Sequence, residues 1–201
     1  MENIAVIDYK AGNLRSVENA LKHLGIRYFI SSDPSELAKG DKLLFPGVGH
    51  ARSAMENLNR LGIADMMRAF AATGKHLFGI CLGSQVMLNH SDEGDTDCLG
   101  LIEGNTRLFN LPDLKVPHMG WNQVYQSVDH PIFKGIPDGA SFYFVHSYYT
   151  DAAPENALCR TDYGINYPSG IFKDNIIAVQ FHPEKSGENG LKMLKNFADW
   201  R

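Results

Sequence analysis

His76-Leu-Phe-Gly-Ile-Cys-Leu-Gly-Ser-Gln85 decides how this chain is read. An apolar run ends at Cys81, with Gly79 two residues before it and Gly83 two after. Residues 84–89 can then start a helix. Strand, tight turn, nucleophile, helix is the order of a nucleophile elbow, here with a thiol in place of the commoner serine hydroxyl. Such a turn packs backbone on backbone and leaves little room for a Cβ at the flanking positions. It lifts the thiol out of the sheet edge and sets the sulfur at a helix N-terminus, where the local dipole favours thiolate. The alternative is a buried structural cysteine in a βα loop, and the rest of the chain decides between them.

Upstream, strand and helix patterns alternate. Residues 3–8 are a short apolar run, and Leu14, Val17, Leu21 and Leu24 recur at helical spacing over residues 13–24, stopped by Gly25. Residues 27–30 read as a second strand, and Ser32-Asp33-Pro34 opens a short helix. Residues 42–45 form a third strand that ends in Pro46-Gly47-Val48-Gly49. A helical pattern over 50–72, broken near Gly62, leads to a fourth strand at 75–80. This alternation predicts a parallel sheet with crossover helices. After Asn89 the pattern changes. Residues 90–97 read as a solvated acidic loop, and short strand-like runs follow at 106–109, 122–125, 141–145, 157–160, 169–172 and 176–180. An amphipathic helix over 187–200, with Leu191, Leu194, Phe197 and Ala198 on one face, closes the chain. The expected fold is α/β: a mostly parallel open sheet flanked by helices, with antiparallel strands added in the second half. No repeat or linker interrupts it, so residues 1–201 are read as one domain.

Composition narrows the function. The 201 residues are 44% hydrophobic and 21% charged, ordinary for a globular enzyme. A net charge of -4 without a basic stripe gives no footprint for nucleic acid. No apolar run approaches the length of a membrane span. Residues 1–8 run straight into a strand pattern, which predicts no signal peptide. Cys81, Cys98 and Cys159 are too few and too scattered for a disulfide framework, which points to a reducing cytoplasm.

A nucleophilic thiol needs a base, and the base needs an orienting group. Val179-Gln180-Phe181-His182-Pro183-Glu184-Lys185-Ser186 supplies both. Strand ends in an open α/β sheet gather on one side, so a histidine closing one strand can lie beside an elbow closing another. Pro183 stiffens the turn, which lets Glu184 fold back onto the His182 imidazole. His50 stands next to the glycine loop but has no adjacent acid, and His118 and His146 sit in apolar and aromatic surroundings that suit structural histidines. No His/Cys spacing suggests zinc, and no metal or organic cofactor is expected. The oxyanion of an acyl-transfer intermediate needs donors. The N–H of Leu82 is one candidate, and the Gly47-Val48-Gly49 loop, with bare backbone, offers the others.

With Pro46-Gly47-Val48-Gly49, Gly79-Ile80-Cys81-Leu82-Gly83-Ser84-Gln85 and Gln180-Phe181-His182-Pro183-Glu184 in this order, the chain resembles the class I (triad) glutamine amidotransferases, with their flavodoxin-like sheet. Within them it is similar to the branch of glutaminase subunits that serve imidazole glycerol phosphate synthesis. That likeness rests on Asp8-Tyr9 with Gly12-Asn13-Leu14-Arg15-Ser16, on Pro117-His118-Met119-Gly120-Trp121-Asn122, on Tyr143-Phe144-Val145-His146-Ser147-Tyr148 and on His182-Pro183-Glu184-Lys185-Ser186. The resemblance implies Cys81 as nucleophile, His182 as base and acid, and Glu184 as third triad member. It implies Leu82, Val48 and Gly49 as backbone oxyanion donors, and Gly47, Gly49, Gln85, Ser147 and Tyr148 around bound L-glutamine. It implies a heterodimer with a (β/α)8-barrel cyclase, to which ammonia passes in L-histidine biosynthesis. Asn13, Arg15, Met119, Trp121, Asn122 and Lys185 are the candidate partner face. The alternative is a glutaminase subunit of another class I amidotransferase. Two residues depart from the family pattern: Ser84, where methionine is commoner, and Lys10, where a small residue is usual.

Overall fold

The computed structural model describes residues 2–10 and 14–201. Its elements run β1 (Ile4–Ile7), α1 (Leu14–His23), β2 (Tyr28–Ser31), α2 (Pro34–Leu37), β3 (Lys42–Gly47), α3 (Ala51–Arg60), α4 (Ile63–Ala72), β4 (Leu77–Cys81) and α5 (Leu82–Gln85). Then come β5 (His90–Ser91), β6 (Thr96–Asp97), β7 (Gly104–Leu108), β8 (His118–Gln126), β9 (Ala140–His146), β10 (Tyr148–Ala152), β11 (Ala157–Asp162), β12 (Asn166–Lys173), β13 (Ile176–Val179) and α6 (Gly187–Asp199).

One sheet has the order β2-β1-β3-β4-β13-β12-β11-β8-β9. Its first five strands are parallel, and from β13 onward neighbours are antiparallel. A smaller sheet, β10-β7-β5-β6, packs beside it. The expected parallel core with added antiparallel strands is what the chain forms. The central strands are apolar on both faces, as strands covered on both sides must be. Ile4, Val6, Phe78, Ile80 and Val179 pack with Val17 and Leu21 of α1 and with Met193, Leu194 and Phe197 of α6. Ala5, Ile7, Leu43 and Phe45 pack on the other side with Leu58 of α3 and Met67 and Phe70 of α4. Two helical layers therefore clamp the sheet.

Several local expectations change. The helix after the elbow is a single turn. Tertiary pairing takes over the carbonyls that would continue it: those of Val86, Met87, Leu88 and Asn89 accept from the N–H groups of Leu99, Leu101, Gly100 and Cys98 respectively. The acidic stretch 90–97 is not a free loop but a small hairpin, β5 with β6, held parallel to β7. Strand β10 escaped the sequence reading and pairs antiparallel with β7. The buried face of α6 is Gly190, Met193, Leu194 and Phe197, while Leu191 and Ala198 are only partly covered. Gly190 is required because a Cβ there would lie 1.9 Å from the Pro183 carbonyl oxygen, so α6 presses directly on the turn that carries His182.

Lys42, 2% exposed, has a role its strand pattern hid. Its ammonium donates to the carbonyls of Phe197, Ala198 and Trp200 and meets the Glu2 carboxylate at 2.8 Å. A cation thus satisfies the unpaired carbonyls at the end of α6. Among the described residues no helix is long and apolar enough to cross a membrane.

Candidate active site

The register of the sheet assembles the site. β3 lies parallel to β4 with Gly47 opposite Cys81, and β4 lies parallel to β13 with Ile80 opposite Val179. His182, three residues beyond Val179, therefore arrives at the same edge as Cys81. Cys81 itself has φ 55 and ψ -110, a conformation that costs a non-glycine residue strain and that recurs at functional turns. The flanking glycines make it affordable. A Cβ on Gly83 would stand 2.3 Å from the Phe45 carbonyl oxygen, and one on Gly79 would stand 2.6 Å from the Met87 side chain and 2.9 Å from the Gly83 carbonyl. A Cβ on Gly47 would strike the Gly83 nitrogen at 2.6 Å, so the glycine loop sits hard against the elbow. Ser84 turns its hydroxyl back to the Cys81 carbonyl at 2.7 Å, a local tie that methionine lacks.

His182 Nδ1 and Glu184 Oε1 are 2.8 Å apart, and the two side chains are 2% and 5% exposed. With Nδ1–H donated to the carboxylate, Nε2 is left buried and without a hydrogen bond among the described residues. Burial alone would lower the pKa of this imidazole. The adjacent Cys81 sulfur and the Glu184 carboxylate outweigh burial and raise it above the ordinary 6.5. A one-turn α5 carries little macrodipole, so the helix end does not supply the field expected at the sulfur.

Beside the thiol lies a cavity of about 430 Å³. Gly49, Gln85, Ser147 and Tyr148 line it together with Cys81 and His182, whereas Gly47 lies behind it, against the elbow. Two side chains in this region were missed by the sequence reading. Gln180 donates to the Cys81 sulfur at 3.8 Å and accepts from Gln85 Nε2 at 3.0 Å. Its signal was its place in the Gln180-Phe181-His182 stretch, two residues before the imidazole. Glu93 also lines the cavity, and its carboxylate accepts the N–H of Ala51 at the start of α3. It stands in the acidic run, and only the hairpin fold turns it toward the thiol.

The glycine loop differs from expectation at one atom. The N–H of Val48 does not stand free for an oxyanion: it donates to the Tyr9 hydroxyl at 3.0 Å, and that hydroxyl donates to the Val48 carbonyl at 2.8 Å. Tyr9 is fully buried, edge-on to Phe45. Because peptides are planar and trans, the Gly49 N–H points away from Tyr9. The Leu82 N–H, at the first turn of α5, remains in the elbow position.

Of the candidate partner face, Met119 and Trp121 are 63% and 60% exposed on the outer face of β8. Trp121 meets Tyr143 edge-on, and the carbonyl and N–H of Tyr143 bond the His182 N–H and the Ser186 hydroxyl. Exposed Lys185 lies in that same turn. Asn122 does not share the Trp121 face; it is partly buried and its Nδ2 donates to the Asp162 carbonyl. Arg15 is exposed in the first turn of α1, and Asn13 lies outside the described residues. Lys10 has φ 66 and pairs with Asp8 at 2.8 Å; the positive φ accounts for the small residue usual at this position. His118 and His146 are buried and hydrogen-bonded, Cys98 and Cys159 are buried free thiols, and His50 caps α3. Among the described residues no cluster of metal-ligating side chains occurs.

A thiol on a strained elbow beside an imidazole–carboxylate pair, at the edge of a parallel sheet, is the arrangement that triad-type α/β transferases and hydrolases share. The profile of the glutamine amidotransferase class-I family matches residues 5–200, and the chain belongs to that family. It is similar over its whole length to the imidazole glycerol phosphate synthase subunit HisH of Methanosarcina mazei, with 48% identity over 99% of each chain. The subunit of the same description from Pseudomonas savastanoi pv. phaseolicola is 46% identical over 100% of this chain and 98% of its own. Among solved structures, a glutamine amidotransferase superposes with a TM-score of 0.77 at 20% identity, covering 98% of this chain and 97% of that one. PurLQS of Thermotoga maritima gives 0.75 at 18% identity over 100% and 99%.

Proposed function

We propose that the chain hydrolyses L-glutamine to glutamate and ammonia and passes the ammonia to a (β/α)8-barrel cyclase subunit, which forms imidazole glycerol phosphate and aminoimidazole carboxamide ribotide in cytoplasmic L-histidine biosynthesis. The observation that carries the chemistry is the His182–Glu184 pair, whose Nε2 has no hydrogen bond among the described residues, beside the strained Cys81. The destination of the ammonia follows from the full-length likeness to HisH subunits.

Glutamine enters the cavity with its side-chain amide at Cys81 and its α-ammonium near the Glu93 carboxylate. The thiolate attacks the amide carbon, and the oxyanion takes the Leu82 N–H. Protonated His182 gives its proton to the departing nitrogen, the C–N bond breaks, and ammonia leaves a γ-glutamyl thioester. Water, deprotonated by His182, cleaves the thioester and releases glutamate. Glu184 holds the imidazole tautomer throughout. The second oxyanion donor is withheld while Val48 is bound to Tyr9, which supports an idle isolated chain. Docking of the liganded cyclase over Met119, Trp121, Arg15 and Lys185 turns the Gly47–Val48 peptide, which glycine neighbours permit at little steric cost. The test of the chemistry is Cys81→Ala in the complex. Glutamine hydrolysis is expected to vanish, and a glutamine-like chloroketone should label the wild type at Cys81 alone; hydrolysis that survives the substitution ends the assignment.

A further inference from the structure

One continuous hydrogen-bond chain leads from strand β8 to the sulfur. Asn122 Nδ2, oriented by its bond to the Asp162 carbonyl and by the Gln123 N–H on its oxygen, donates to His118 Nε2 at 3.3 Å. That fixes the His118 proton on Nδ1, which lies 3.0 Å from His146 Nε2. The His146 proton is then on Nδ1, 2.7 Å from the Tyr148 carbonyl. The same carbonyl accepts Gln85 Nε2 at 3.0 Å, Gln85 donates its second proton to Gln180, and Gln180 donates to Cys81. Asn122 and Gln85 each use both amide protons, the Tyr148 carbonyl accepts from both sides, and only one pair of histidine tautomers satisfies the run. The Tyr167 hydroxyl stands beside this link, 3.1 Å from His146 Nε2 and 3.4 Å from His118 Nδ1.

We propose that His118 and His146 are positioning residues of the glutaminase: together they hold the Tyr148 carbonyl and, through Gln85 and Gln180, the wall against which the glutamine side chain and the Cys81 sulfur are aligned. The inference rests on glutamine being the substrate. Burial pushes His118 down to about 4 and His146 to about 3, so both stay neutral across the working pH range and each keeps one donor and one acceptor nitrogen. The run starts on the strand whose outer face carries Met119 and Trp121, so a displacement of β8 reaches the cavity without unfolding anything between.

Two substitutions at His118 separate this role from mere packing. The ring is stacked on Phe144 at 4.7 Å and on Tyr163 at 3.9 Å. His118→Phe keeps the stacking and removes both nitrogens. His118→Asn loses the stacking and keeps a donor at the Nδ1 position. Glutaminase is assayed on the complex with saturating cyclase and its nucleotide ligand. The Phe variant is expected to raise KM for glutamine about tenfold with kcat within about threefold, the worth of one misplaced hydrogen bond. The Asn variant should lie nearer the wild type. Equal KM values, or a better Phe than Asn variant, overturn the proposal. If the Phe variant does not fold, Asn122→Ala breaks the first link at a partly exposed site, and an unchanged KM there is equally decisive against it. A wild-type complex that does not hydrolyse glutamine overturns the substrate reading and this inference with it; an active wild type with unaltered variants overturns the inference alone.

Discussion

At the residue scale the site is a set of groups whose environments separate their roles. His182 is buried, yet its pKa is raised, because its neighbours are a sulfur and a carboxylate. A raised folded-state value means that protonated His182 contributes stability in full below about pH 6.5, its unfolded value, and loses that contribution as pH climbs through the folded value. Glu184→Gln removes one negative neighbour and lowers the imidazole pKa. Its alkaline limb of kcat/KM should move to lower pH, with activity down by roughly tenfold or more from the disturbed tautomer; an unmoved limb would contradict the role of Glu184. Tyr9→Phe removes the hydroxyl that holds Val48 and leaves the ring in the core. Glutaminase activity of the isolated chain should rise about tenfold, while damage to packing alone would lower it. The Cys81 turn and the His182–Glu184 contact were legible in the sequence because each stands in a short, stiff local motif. Tyr9 was not, because its partner Val48 is 39 residues away and a hydroxyl buried under a loop leaves no local pattern.

At the scale of elements, the β4 turn is legible because it is a steric statement. Gly79 and Gly83 predict close backbone approach, and the Phe45 carbonyl stands where the Gly83 Cβ would be. Gly83→Ala should destabilise the fold by about 1–3 kcal/mol through overpacking and depress activity further than that by tilting the elbow. A urea midpoint like that of the wild type would contradict the close approach of Gly83 to the Phe45 carbonyl. The one-turn α5 and the 90–97 hairpin were illegible for a common reason. Their backbones are paired by segments up to 15 residues away, such as Asn89 with Cys98 and Asp92 with Thr106, and periodicity reports only the chain's own neighbours. Glu93 was lost with them: an acidic residue in an acidic run reads as solvent-facing until the hairpin turns it inward.

At the scale of the molecule, strand polarity does the assembling. Parallel β3, β4 and β13 deliver the glycine loop, the thiol and the imidazole to one edge, and the turn that carries His182 is tied by Tyr143 to β9, and by ring contact to the exposed Trp121. An exposed tryptophan joined through Tyr143 to the His182 turn suits the centre of an interface. Cys81 and the His182–Glu184 pair meet at one sheet edge while the Val48 N–H is bound to Tyr9, and we propose on that basis that the chain is a glutaminase kept idle until its cyclase docks. The most direct measurement is the rate of glutamate formation by the isolated chain, by the chain with purified cyclase, and by that complex with the cyclase's nucleotide ligand. The recovery of a missing oxyanion donor is worth about 10²–10³ in kcat. The account predicts stimulation of that order, reached only with liganded cyclase, at one cyclase per chain. Full turnover by the isolated chain, or no turnover in the liganded complex, would contradict it.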